Sequence, residues 1–258
     1  MQRNITLRTS VALAAVTALL GACSESGADS VDKADESPSS ASATEESSVP
    51  TDDSSAPTDD VDLPDGVLAL PEREPGESSV SLPGGRYHVP LNDTLAFEVD
   101  VPADSTAHDD GLFIATEDFV VKTEVAGDAY GVPRHPCTDQ TIEPAGSTVE
   151  DLLGAIADLP VYETTPPEAV ELGGADGAYI EARIPRRYDA SQCGGDALQL
   201  PGNPDTAVSG PPPYIGRWWI LDVDGQRVVV QQNCWGCRAD QFDRGPRTPQ
   251  SITFTPTS

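Results

Sequence analysis

Cations are scarce in this sequence. Fifteen Lys and Arg face 43 Asp and Glu, a formal net charge of −28. Nucleic-acid binding rests on clustered Lys and Arg that displace counterions, so no nucleic acid is expected as a partner. The same shortage leaves the body of the protein without a basic surface for an anionic membrane. Long apolar runs are missing too. Val11 to Leu20 falls far short of the roughly 20 apolar residues that a bilayer-spanning helix needs. No Gly-x-Ser-x-Gly elbow, His-Glu-x-x-His motif or phosphate loop occurs, so these sequence signatures of catalysis are absent.

What is present begins at the N-terminus. Arg3, Arg8 and the free amine precede the apolar stretch, and Leu20-Gly21-Ala22-Cys23 closes it. A basic n-region, an apolar h-region and small residues ahead of a cysteine form the pattern of a bacterial lipoprotein signal peptide. Residues 1–22 are read as the signal, and Cys23 as the acylated mature N-terminus on the outer face of the plasma membrane. One acyl chain anchors only marginally, at about 0.8 kcal/mol per buried methylene, and two or three hold almost permanently.

With Cys23 acylated, Cys137, Cys193, Cys234 and Cys237 remain. An even number in an exported domain reads as two disulfides. Four cysteines permit three pairings, and the nearest-neighbour one, Cys137–Cys193 with Cys234–Cys237, is favoured. In the chain-entropy account the long loop is worth about 4 kcal/mol and the short one about 2.

Residues 23–79 are read as the lipidated cysteine followed by an acidic Ser/Pro/Thr-rich tether. Up to Asp62 it carries Lys33 as its only cation and no aromatic residue. Such a stretch buries too little apolar surface to offset its ordering entropy. About 40 flexible residues span about 35 Å, and like charges extend them. Leu63 to Ser79 is expected to be a loosely docked lead-in, and residues 80–258 a single extracytoplasmic domain.

Within that domain Leu95, Phe97, Val99 and Val101 alternate with Ala96, Glu98 and Asp100, the period of a half-buried strand. Leu112 to Ile114, Phe119 to Val125, Ala169 to Leu172 and Ala178 to Ile184 read as further strands, the last two joined by a Gly173–Gly177 turn. Ser147 and Glu150 offer a capping box for a helix carrying Val149, Leu152, Leu153 and Ile156, which Pro160 ends. Trp218 to Val223 and Gln226 to Gln231 form a hairpin, because Asp224-Gly225 suits a type I′ turn. Ser251 to Phe254 can add a strand. A long Gly/Pro/Asp-rich insertion separates Tyr188 from Tyr214, and loops of that length are usually functional or disordered. The expected fold is α+β, an antiparallel sheet of five to seven strands packed with one or two helices.

The succession YHVPLNDTLAFEVDVP, STVEDLLGAIADL, AVELGGADGAYIEARIP, RWWILDVDGQRVVVQQ and SITF resembles exported lipoproteins of high-GC Gram-positive bacteria that carry a PsbP-like α/β/α sandwich. The resemblance spans about Tyr87 to Phe254 and implies a scaffold with no catalytic residue and no cofactor. One departure is evident: Arg238 to Phe242 runs into Gly245-Pro246-Arg247-Thr248-Pro249, so any helix before the last strand must be short.

Candidate chemistry is thin. Cys234-Trp235-Gly236-Cys237 has the spacing of a thiol redox pair, but about twenty residues follow it, too few to complete a thioredoxin-like fold. A Cys₄ zinc site wants two close pairs and the chain has one. Asp222-Val223-Asp224-Gly225 opens like a calcium loop without the twelfth-position carboxylate. His108-Asp109-Asp110 reads as a solvated acidic turn, and His88 and His135 have no ligand pattern around them. Tyr214, Trp218, Trp219 and Trp235 gather in the C-terminal third as a candidate ligand surface, beside the Pro211-Pro212-Pro213 run. Trp218 and Trp219 must face opposite sides of their strand; if both sides are buried, they are core instead. The sequence therefore leads to a monomeric, lipid-anchored, non-catalytic binding module that meets a cell-wall component or envelope protein. A small enzyme using scattered carboxylates, with His108, is the alternative.

Overall fold

The computed structural model describes residues 63–109 and 112–257. The stretches read as signal and tether, residues 1–62 with Cys23 among them, and Asp110 lie outside the described residues. In chain order the first strands are β1 (Val67–Ala69), β2 (Ser79–Leu82), β3 (Gly85–Pro90), β4 (Leu95–Val101), β5 (Ser105–His108), β6 (Phe113–Ala115) and β7 (Val120–Val125). The hairpin β8 (Gly131–His135) and β9 (Asp139–Pro144) follows, then helix α1 (Val149–Ala157). Next are β10 (Glu163–Thr164), β11 (Glu168–Leu172), β12 (Ala175–Ile184), β13 (Leu198–Gln199) and β14 (Ser209–Gly210). The long hairpin β15 (Tyr214–Val223) and β16 (Gln226–Trp235), helix α2 (Ala239–Phe242) and strand β17 (Thr253–Pro256) complete the chain.

Alternation along β15 and β16 organises everything else. Asp224 and Gly225 both take positive φ, so the two-residue turn is of type I′ and the register runs from Val223 opposite Gln226 to Tyr214 opposite Trp235. These strands centre an antiparallel sheet of nine, ordered β10-β12-β15-β16-β7-β6-β5-β2 with β11 also on β12. A four-stranded sheet, β1-β3-β4-β17, packs against one face. Phe97, Val99 and Tyr87 of the small sheet meet Trp219, Leu221, Val228 and Val230 of the large one in the main core. The other face is covered by α1, by the 126–145 segment and by the insertion after Tyr188.

Several expectations need correction. The large sheet has nine strands, more than the five to seven expected, and a second sheet exists. β1, β2, β5 and β10 are two to four residues long, too short to display a period. Val67–Ala69, in the stretch read as a loose lead-in, pairs in parallel with β3. The α/β/α arrangement implied by the resemblance would place helices on both faces, whereas here β strands cover one of them. The turn between β11 and β12 is Gly173-Gly174 alone, both at positive φ, and Ala175 already pairs with Leu172. The capping box is one residue later than expected. Asp151 N donates to Thr148 Oγ1 at 3.1 Å, and Thr148 N donates to Asp151 Oδ2 at 3.2 Å. A compact Asp one turn in closes the box from Thr148 as Glu150 would have from Ser147.

Candidate functional site

Strand β7 reads Val-Val-Lys-Thr-Glu-Val, and its pleat puts Lys122 and Glu124 on the face turned toward the insertion. Both are buried, at 1% and 6% residue exposure. Lys122 Nζ stands 2.5 Å from Glu124 Oε1, an ionic contact without the geometry of a directed hydrogen bond. The ammonium also donates to Thr206 O at 3.1 Å and Thr206 Oγ1 at 3.0 Å, and it lies 5.0 Å from the Phe113 ring centroid. Thr206 Oγ1 in turn donates to Glu124 Oε2 at 3.1 Å. Burial pushes the Lys122 amine down, with the Glu124 charge acting against it. Burial likewise pushes the Glu124 carboxyl up, opposed by Lys122.

The pair belongs to a polar stripe that crosses the sheet. Ile180, Trp218, Gln231, Lys122 and Phe113 form one cross-strand row over five strands. Gln231 Nε2 donates to the Tyr130 hydroxyl at 2.5 Å. Asn233 Nδ2 donates to Gln231 Oε1 at 3.4 Å, and the Tyr214 hydroxyl donates to Asn233 Oδ1 at 2.6 Å. Tyr130 and Tyr214 are fully buried, and burial raises both phenols well above their ordinary range. The indole N–H of Trp218, wholly buried in the same row, has no hydrogen-bond partner. Sequence reasoning missed this stripe. An opposite-charge pair at i and i+2 inside an apolar strand was its one visible sign, and the insertion that buries it is not a periodic element.

At the hairpin end of the same face, a cleft of about 680 Å³ opens between α1 and the sheet. Val149, Leu153, Ala169 and Ala178 form its apolar walls, and Glu150, Glu168, Asp176 and Asp222 stand on its exposed rim. Asp176 and Asp222 are direct cross-strand neighbours. Arg227, 7% exposed, closes one end. Its guanidinium donates to Gly146 O and Thr148 O at 2.9 Å each, and to Ala126 O and Gly127 O at 3.3 Å each. It thereby ties the start of α1 to the loop after β7. Burial lowers its pKa, opposed by the neighbouring Tyr130, Asp151 and Asp128.

The opposite face holds a different cluster. Glu181 accepts from Arg217 Nε at 3.0 Å and Arg183 Nε at 2.7 Å, and the Arg217 guanidinium lies 4.4 Å from the Phe242 ring centroid. Glu124 and Glu181 are thus buried carboxylates on opposite faces of one sheet.

The residues singled out from sequence are separated in space. Tyr214, Trp218 and Trp235 share the insertion face, with Tyr214 5.7 Å from Trp235 and 6.2 Å from Trp218 between ring centroids. Trp219 points into the opposite core beside Tyr179, 5.3 Å away. Tyr214, Trp218 and Trp219 are buried and Trp235 is half-buried, so the four do not form one exposed surface. Both faces of the sheet are covered, and both therefore require apolar side chains. Cys137 bonds Cys193 and Cys234 bonds Cys237, with Cα separations of 4.4 and 5.8 Å and all four residues buried. His108 meets Thr106 Oγ1 at 3.3 Å. No group of three His, Cys, Asp or Glu among the described residues is placed to hold a metal ion.

The chain matches none of the family models and none of the curated proteins compared with it.

Proposed function

We propose that this protein is a lipid-anchored, extracytoplasmic component of the cell envelope, held on the outer face of the plasma membrane through Cys23. We propose further that its folded part is a monomeric, non-catalytic binding module for a cell-wall component or an envelope protein. One observation carries the reading: the chain has five cysteines, and two buried disulfides use four of them. The odd cysteine is the one that ends the apolar run, where acylation chemistry needs it. Oxidised pairs fit an exported chain. The resemblance of the sequence pattern to exported lipoproteins supports the same scaffold role.

An enzyme built on carboxylates is the weaker reading. Glu124 and Glu181 face away from one another, and the four acids around the cleft are exposed, whereas a general acid works from a buried or crowded position. A thiol exchanger is weaker still, because attack requires an accessible sulfur and Cys234 is wholly buried.

The test has two arms. Mass spectrometry of the mature N-terminus should find a diacylglyceryl-modified Cys23, and a Cys23→Ala variant should leave the membrane fraction. Crosslinking in intact cells, followed by capture, should recover an envelope component. A Cys23→Ala chain that stays membrane-bound would refute the anchor, and measurable turnover would refute the binding role.

A further inference from the structure

We infer that the insertion face carries an occluded site for a hydroxyl-rich ligand, a saccharide or other polyol, and that the Thr206 hydroxyl occupies the place of a ligand hydroxyl. This rests on the binding-module reading and names the ligand class. Thr206 Oγ1 accepts from the Lys122 ammonium at 3.0 Å while donating to Glu124 Oε2 at 3.1 Å. A hydroxyl is both donor and acceptor, and a cation on one side with a carboxylate on the other polarises it in both directions. An ammonium and a carboxylate held 2.5 Å apart are thus a hydroxyl-recognition unit. A buried ion pair contributes little net stability compared with well-packed apolar side chains, so stability alone is a poor reason for this one.

The surroundings fit the same ligand. Gln231 and Asn233 beside the pair carry carboxamides that already bond one another and the Tyr130 and Tyr214 hydroxyls, a network built for hydroxyl partners. Trp218 stands in the Lys122 row, fully buried, with its indole N–H unpartnered. The cover over the pair is a surface turn. Thr206 N donates to Asn203 O at 3.0 Å, Pro204 and Asp205 between them are exposed, and Leu200 N to Val208 O at 2.9 Å closes the base. The turn is held to the sheet by the Lys122 and Glu124 bonds to Thr206, the bonds a ligand hydroxyl would take over, and local opening of so short a segment leaves the sheet beneath intact.

The experiment uses the full chain, ¹⁵N-labelled, with glycerol, maltose and chitobiose as probes. Saccharide is expected to move the Trp218 indole N–H signal, assigned with Trp218→Phe, together with the Thr206 amide. Thr206→Gly removes the competing hydroxyl and should tighten binding about tenfold. Lys122→Met/Glu124→Leu replaces the ion pair with an apolar one and should weaken binding about tenfold or more. Where that double variant does not fold, Thr206→Val, an isostere without the hydroxyl, should bind more tightly than Thr206→Ser. The inference is overturned if no probe moves either signal in the wild type and Thr206→Gly. Equal binding by the double variant, or by the Val and Ser variants, also overturns it. If crosslinking still captures an envelope component from a chain silent in these titrations, the binding-module reading stands and this site alone is lost.

Discussion

Tyr214 reaches Asn233 because residue 216 has no side chain. The phenol lies across Gly216, and its hydroxyl donates to Asn233 Oδ1 at 2.6 Å on the neighbouring strand. A β-carbon at position 216 would collide with the phenol oxygen and with the Trp218 ring. Gly216→Ala should therefore destabilise the domain by about 1–3 kcal/mol, as overpacking does. Tyr214→Phe should cost a similar amount, about 1–3 kcal/mol, by leaving a buried amide oxygen unpaired. Urea unfolding of both variants measures this, and a Gly216→Ala midpoint equal to wild type would disprove the close approach.

The Lys122–Glu124 pair predicts a pH signature. The folded-state pKa of Glu124 is raised by burial, so its contribution is fully present below the ordinary value of 4.5 and is lost as pH rises through the folded value. Lys122 is lowered by burial, so its contribution is present above its ordinary 10.5 and lost as pH falls through the folded value. Lys122→Met removes the charge that opposes the rise of Glu124. Its stability should fall by up to about 1.4 kcal/mol per pH unit as pH rises from about 5. Lys122→Met/Glu124→Leu lacks both titrating groups and should show no such slope, at a stability equal to the wild type or about 1–4 kcal/mol above it. Unfolding free energies measured across the neutral range separate these outcomes.

Arg227 is a fork that a lysine cannot replace. Its nitrogens are shared among four backbone carbonyls, so Arg227→Lys should lose most of them and cost about 2–3 kcal/mol. Hydrogen exchange should accelerate at the start of α1 and around Gly127, with β4 unaffected. Uniform acceleration would mean that Arg227 has no local tethering role.

The helix cap discriminates between two adjacent residues. Thr148→Ala should destabilise by about 1 kcal/mol, while Ser147→Ala, one residue outside the box, should change little. The reverse ranking would place the cap at Ser147.

The disulfides should differ in worth. Replacing Cys137 and Cys193, 56 residues apart, should cost about 4 kcal/mol, against about 2 for Cys234 and Cys237. Alkylation of the native chain before reduction should label none of the four, since all are bonded.

Elements with several periods of alternation could be read directly. β4 has the bounds Leu95–Val101 that its pattern indicates, and Asp224-Gly225 marks the central hairpin by turn chemistry alone. The opposite directions of Trp218 and Trp219 followed from strand geometry. Coverage did not, because no local pattern in β15 reports that a second sheet lies over Trp219 and an irregular insertion over Trp218. The candidate site was hidden for the same reason. Leu198 and Leu200 are buried inside a stretch with the composition of a loop, and only long-range packing places Thr206 on Lys122. The capping register was one residue out because Ser147-Glu150 and Thr148-Asp151 carry the same three-residue spacing.

Lys122 is also the sole lysine between residues 63 and 257, the chain's other one being Lys33. Every exposed side-chain cation of the described residues is consequently an arginine, which acylating reagents ignore. A reagent that modifies primary amines has a single target in the folded body, and it lies beneath the Thr206 turn. The rate at which that amine acquires a mass tag in native buffer is then a clock for lifting of the turn, read from one peptide and requiring no engineered label.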